Sequence, residues 1–133
     1  MGRPLQNSAE RYGLLANGSS GQWDVAIDES REREKEWYAE IENPNIYLCF
    51  RLRDLDAVSE ALAFLQDQSR QSDTLVIGKL GSASVSLVRD NEESPRCFVV
   101  VGPTARSTCR LSVVGEEIKH LAEALEQAVK DLQ

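Results

Sequence analysis

A chain of 133 residues can bury roughly two thirds of the surface its unfolded form exposes, so one self-sufficient core is expected and no cofactor is needed to build it. With 41% hydrophobic and 28% charged residues the composition excludes a disordered chain, and 22 acidic against 15 basic residues give a net charge of −7, a field that repels phosphate polymers and anionic membranes unless basic residues cluster. Three cysteines without a CxxC spacing, the start Met1-Gly2-Arg3-Pro4 and the lack of an apolar run of roughly 18 residues read as a reduced, cytoplasmic protein with no signal peptide or membrane span.

Residues 1–10 are polar, contain Pro4 and read as a loose N-terminal arm; residues 11–133 read as one domain. Arg11 to Ala16 suits a short strand, and Asn17-Gly18-Ser19-Ser20-Gly21 suits the turn after it. Asn17-Gly18-Ser19 also matches a glycosylation sequon, a chance match in a chain that is not secreted. Trp23, Val25 and Ile27 alternate with Asp24, Ala26 and Asp28 at the period of a half-buried strand. The sign alternation from Arg31 to Glu36 fits a solvated hairpin loop. The next strand puts Trp37, Ala39 and Ile41 on one face and Tyr38, Glu40 and Glu42 on the other, and Trp23 and Trp37 are expected to pack together or on the first helix. Asn43-Pro44-Asn45 makes a tight turn, because Pro fixes one backbone angle and Asn tolerates the left-handed region. Ile46, Leu48, Phe50 and Leu52 form a third inward row.

The period then changes. Leu55, Val58, Leu62 and Leu65 recur at helical steps behind Asp54 and Asp56, which suit the positive end of a helix dipole; the pattern predicts an amphipathic helix of about fourteen residues. Gln66 to Asp73 reads as a linker. Thr74–Leu80, Ala83–Arg89, Arg96–Val101 and Thr108–Val114 predict four more strands, and Ile118, Leu121, Leu125, Val129 and Leu132 make the stripe of a final helix, with Glu116, Glu117 and Lys130 at the dipole-favourable ends.

The two halves repeat one pattern. Trp23–Ile27 lines up with Ala83–Leu87 and Trp37–Ile41 with Cys97–Val101; after a slip in register, Ile46, Leu48 and Phe50 fall on Cys109, Leu111 and Val113, and Glu60-Ala61-Leu62 on Glu123-Ala124-Leu125. Consecutive strands on short turns pair antiparallel, and each sheet needs its apolar face covered. The expectation is an α+β domain of two pseudo-repeated ββββα units, residues 11–70 and 71–133, whose two antiparallel sheets share a core with two helices about a pseudo-twofold axis.

This element order, with Leu48-Cys49-Phe50-Arg51-Leu52 running into Asp54-Leu55 and Leu111-Ser112-Val113-Val114 into Glu116-Glu117-Ile118, resembles the Whirly and PUR-repeat single-stranded nucleic-acid-binding proteins. Ile77-Gly78-Lys79-Leu80-Gly81 is faintly similar to the lysine-glycine strand of Whirly proteins. The resemblance implies binding of single strands through sheet-face aromatics and basic edges, often as an oligomer. The acidic balance departs from that, and a shared fold can host unrelated functions.

Single-strand binding needs π faces for bases and cations for the backbone, with stacking worth roughly 1–3 kcal/mol per base. Tyr38, Tyr47 and Arg51 in the first half and Phe98 and Arg110 in the second are expected on outward faces, with Lys79 and Arg106 nearby: a nucleic-acid or partner-binding surface. Glu40 and Glu42 share that face and would repel phosphate, and Tyr47 and Arg51 also read as ordinary cross-strand neighbours. The outer face of the second half, with Ser84, Ser86, Val88, Phe98, Val100 and Ser112, is too apolar for full solvation, which points to a homodimer through Val88, Phe98 and Val100. The alternative is a register slip of one residue, which would exchange the faces.

His120, the one histidine, has no cysteine pair or carboxylate constellation around it in sequence, and no glycine-rich phosphate loop precedes a helix. Cys97 and Cys109 fall on inward strand positions, whereas Cys49 is expected outward and is the thiol to test for reactivity. The whole reads as a binding protein, with no catalytic residue, metal or cofactor expected. Acidic charge and the apolar face favour protein–protein interaction or regulation with self-association; architecture favours single-stranded DNA or RNA.

Overall fold

The structure, a computed structural model, describes residues 12–67, 69, 72–90, 96–102 and 109–133; the N-terminal arm and Arg106 lie outside them. The elements are β1 (Tyr12–Ser20), β2 (Trp23–Ser30), β3 (Trp37–Asn43), β4 (Ile46–Leu52), α1 (Asp56–Gln66), β5 (Ser72–Leu80), β6 (Ala83–Asp90), β7 (Arg96–Val101), β8 (Cys109–Val114) and α2 (Glu116–Leu132). The fold is α+β. Among the described residues no helix is long and apolar enough to cross a membrane.

The expected pair of sheets is instead one. All eight strands lie in a single antiparallel sheet in chain order, with β4 joined to β5 by only two residue pairs, Arg51 with Lys79 and Leu52 with Gly78. Gly78 makes this seam: a Cβ there would lie 2.2 Å from the Arg51 carbonyl oxygen and 2.7 Å from the Phe50 ring. A bulge between Val76 and Gly78 adjusts the register, and beyond the seam the Arg53 N–H donates to the Ile77 carbonyl at 2.8 Å.

Alternation builds the inner face. Val25 faces Ile41 and Ile41 faces Leu48; Ile27, Ala39 and Phe50 form the next row, and Leu87, Val99 and Leu111 continue the layer in the second half. Val58, Ala61 and Leu65 of α1 and Ile118, Leu121 and Leu125 of α2 bury themselves in the same cluster. Trp23 and Trp37 do not pack together: the β2–β3 ladder runs from Asp24 opposite Glu42 to Glu29 opposite Trp37 and holds them at opposite ends. Cys97 is buried, but Cys109, expected inward, is exposed because it opens β8.

The first strand runs through the stretch that reads as a turn; the reversal comes at Gly21-Gln22 instead. The reason is α2, which lies against β1. A Cβ on Gly18 would sit 2.0 Å from the Ala124 carbonyl oxygen, so glycine alone lets strand and helix approach. Side chains of α2 then take over the outer edge of β1. Gln127 accepts the Ser19 N–H at 2.9 Å and returns a bond to the Ser19 carbonyl at 2.8 Å, and Asp131 accepts the Asn17 N–H at 3.2 Å.

The start of α1 is fixed by Asp54, which accepts the Ala57 N–H at 2.9 Å as an N-cap does. Arg53 also reaches Glu60, and its grip on Asp54 at 2.9 Å, helped by the Ala57 N–H, holds the Asp54 carboxyl below its ordinary value. At the other end of α1, the guanidinium of Arg89, on the inner row of β6, donates to the Phe64 carbonyl and stands 5.3 Å from the Phe64 ring centre. Arg89 is 1% exposed, and its Nη1 has no hydrogen-bond partner among the described residues.

Candidate interaction surface

The outer face is divided by chemistry along the β4–β5 seam. In the first half, β2 and β3 turn Asp24, Asp28, Tyr38, Glu40 and Glu42 outward, the residues between their inward neighbours. The Tyr47 hydroxyl donates to Glu40 at 2.6 Å, and the Tyr38 hydroxyl donates to Glu36. Burial and the Glu40 bond push the Tyr47 phenol well above the ordinary tyrosine value. Both tyrosines are thus tied to carboxylates, a poor setting for a nucleotide phosphate.

The second half has the opposite character. Phe98 on β7 lies between two guanidinium groups, Arg96 at 5.7 Å and Arg110 at 5.6 Å from its ring centre. Around it lie Val88, directly opposite on β6, and Val100, opposite Ser86 and Arg110. Val76 and Val114, also on this face, are 46% and 44% exposed. Ser84 and Ser112 add small polar groups, and Arg96 meets Asp90 at 2.8 Å.

Arg51 and Lys79 stand opposite each other across the seam, in one row with Asp28 and Tyr38 on one side and Ser84 on the other. A shallow hollow of about 310 Å³ opens there, lined by Arg51, Arg53, Val76 and Lys79 with Leu52 and Gly78. Of the residues singled out in the sequence, Tyr38, Arg51 and Lys79 therefore form one row, Phe98 and Arg110 a second cluster with Val88 and Val100, and Tyr47 belongs to the acidic half. Arg106 lies outside the described residues. Sequence reasoning missed Arg96 and Val114, although both share strand parity with residues it placed outward, Phe98 and Ser112.

His120 meets the Ser20 hydroxyl at 3.1 Å and Glu123 at 3.4 Å, and Ser20 donates to Glu123 at 2.9 Å. Both histidine contacts fall on Nδ1, whereas a nucleophile–base–carboxylate relay needs one partner on each ring nitrogen. The trio instead fastens α2 to the end of β1. Among the described residues no three His, Cys, Asp or Glu side chains are grouped to hold a metal ion. Cys49 is half-buried on the outer face, and burial raises the Cys97 thiol against the partial opposition of Arg89. No protein-family model, curated protein or solved structure matches the chain.

Proposed function

We propose that the chain is a non-enzymatic, self-associating binding module of duplicated ββββα, Whirly/PUR-like architecture, acting by protein–protein contact or regulation through the outer face of β5–β8. The carrying observation is the Phe98 cluster: an aromatic ring gripped by Arg96 and Arg110 amid Val76, Val88 and Val100, on a chain whose acids gather on the other half of the face. Aromatic and arginine side chains around a desolvated centre are the residue types that anchor protein interfaces. Val88, Phe98 and Val100 form the apolar centre of contact, and the guanidinium rim fits a partner surface bearing carboxylates. The repeated element order and the matching residue pattern of the halves support the duplicated architecture. Sedimentation velocity over a concentration series tests the self-association: a reversible dimer is expected, and a chain that stays monomeric throughout overturns it.

A second reading, single-stranded DNA or RNA binding, is favoured by one arrangement. Phe98 with its two guanidinium groups is a stacking platform, and Arg51 and Lys79 offer cations on the same face. Anisotropy of a labelled single-stranded oligonucleotide decides between the two. Saturable binding that weakens with salt and is lost in Phe98→Ala/Arg110→Ala would replace protein contact by nucleic acid; no binding at low salt removes this reading.

A further inference from the structure

The seam between β4 and β5 carries an electrostatic fault. Arg51 and Lys79 stand directly opposite each other in one of its two residue pairs, so their exposed side chains leave the sheet on the same side with Cβ atoms about 5 Å apart. Like charges set opposite in this way destabilise the pairing. Neither cation is answered: among the described residues neither makes an ion pair or a side-chain hydrogen bond, although the chain has 22 acidic residues against 15 basic. The carboxylates nearby are engaged elsewhere. Glu40 takes the Tyr47 hydroxyl, Asp54 and Glu60 hold Arg53, and Asp28, the acid of the Arg51 row, is buried beyond Tyr38.

The hollow at the seam has room for what is missing. Its 310 Å³ are bounded by Arg51, Arg53 and Lys79 with Leu52, Val76 and Gly78, and no carboxylate is among the described residues that line it. A hollow on the first half of the same face is lined instead by Asp24, Glu40 and Glu42. Arg53 forms a fixed wall, since its Nη1 donates to the Val76 carbonyl at 3.1 Å while Asp54 and Glu60 hold the rest of the guanidinium. The two unanswered heads are those of Arg51 and Lys79.

We infer that this hollow binds the phosphate group of a small molecule, with Arg51 and Lys79 closing on it from the two sides of the seam. A guanidinium presents a planar fork to two oxygens and an ammonium a point charge to a third, so a doubly charged oxyanion answers both at once. A polynucleotide needs a continued cationic track, and along the row the neighbours of this pair are Tyr38 and Asp28 on one side and Ser84 on the other. The bound anion turns a repulsion into a bridge at the place where the two halves are joined by two residue pairs and the Arg53 N–H on the Ile77 carbonyl. The site stands apart from the Phe98 cluster and does not require self-association.

Pyrophosphate is the probe, titrated calorimetrically into the full chain at an ionic strength held constant with chloride. One saturable site is expected, weakened about tenfold by Lys79→Gln and by Arg51→Gln and untouched by Lys119→Gln, which removes an exposed cation from α2. Saturation slows hydrogen exchange of the Arg53 amide, which a loosely held counter-ion leaves unchanged. Without the anion, Lys79→Gln melts no lower than wild type, because it relieves the opposed charges. No saturable heat, or binding that both seam substitutions spare, shows an adventitious anion only and overturns the site. A single-stranded oligonucleotide that displaces pyrophosphate and binds more tightly assigns the phosphate to a nucleic-acid backbone and overturns the small molecule.

Discussion

On the inner face of the sheet, Val25, Ile41, Phe50, Val85 and Val99 close on two helices, and the few close approaches are made by glycine. On the outer face the alternate residues of the same strands carry Asp24, Glu40 and Glu42 at one end and Arg96, Phe98 and Arg110 at the other. The inner face tolerates change badly because its side chains are close-packed; the outer face is ordered by charge and hydrogen bonds, with Asp28, Glu40 and Ser86 buried within it. The same backbone thus separates what makes the protein stand from what it presents.

The sharpest way to break the inner face is Gly18→Ala. Its methyl would meet a backbone carbonyl that cannot turn aside, so a loss of about 3 kcal/mol is expected in urea unfolding. Gly78→Ala should follow at about 2 kcal/mol, since part of its clash is with the Phe50 ring, which can shift. Its mark is faster hydrogen exchange at Arg53, whose amide bonds Ile77 across the seam. Asp54→Ala removes the cap of α1 and should cost about 1 kcal/mol. The Asp54 carboxyl is held below its ordinary value when folded, so its contribution is full above the unfolded carboxylate range and is lost as pH falls through the lowered value; the variant's acid-unfolding curve should lack that part of the slope.

Changes to the outer face should be milder. Tyr47→Phe deletes a bond to Glu40 and should cost about 0.5 kcal/mol. The wild-type phenol, raised in the fold, favours the folded state fully below the ordinary tyrosine value and loses that support as pH rises past it, which an absorbance titration of Tyr47→Phe beside wild type would show as one missing late-titrating tyrosine. Thiol labelling compares the faces at no cost in stability: Cys109 should react first, then Cys49, and Cys97 only on unfolding. Early labelling of Cys97 would mean that the inner face opens far more readily than its packing implies.

Strand alternation made much of the inner layer legible. Trp23-Val25-Ile27 and Ile46-Leu48-Phe50-Leu52 announce their inward sides by period alone, and the structure adds Arg89 to the inner row of Ala83, Val85 and Leu87. The joining of two sheets into one was not legible, because it depends on the missing side chain of Gly78 against a carbonyl distant in sequence. Nor was the full length of β1: Asn17-Gly18-Ser19-Ser20-Gly21 has turn chemistry, and it stays extended because α2 answers its backbone and needs its glycine. The Phe98 site was half legible. Phe98 and Arg110 stand out as outward residues, but the second guanidinium comes from Arg96, which the sequence marks only as the opening residue of a strand.

The clamp of α2 on β1 also has a consequence for how the chain comes into being. The first strand emerges from the ribosome early, yet the glutamine and aspartate that seal its edge arrive only in the last helix. While β2 to β8 are being made the growing meander therefore carries an unsealed β1 edge, and the step that removes this exposure becomes available only after all eight strands. A chain interrupted before Gln127 would lack the side chains that seal β1 and would leave Ser19 and Asn17 offering their backbone to another strand.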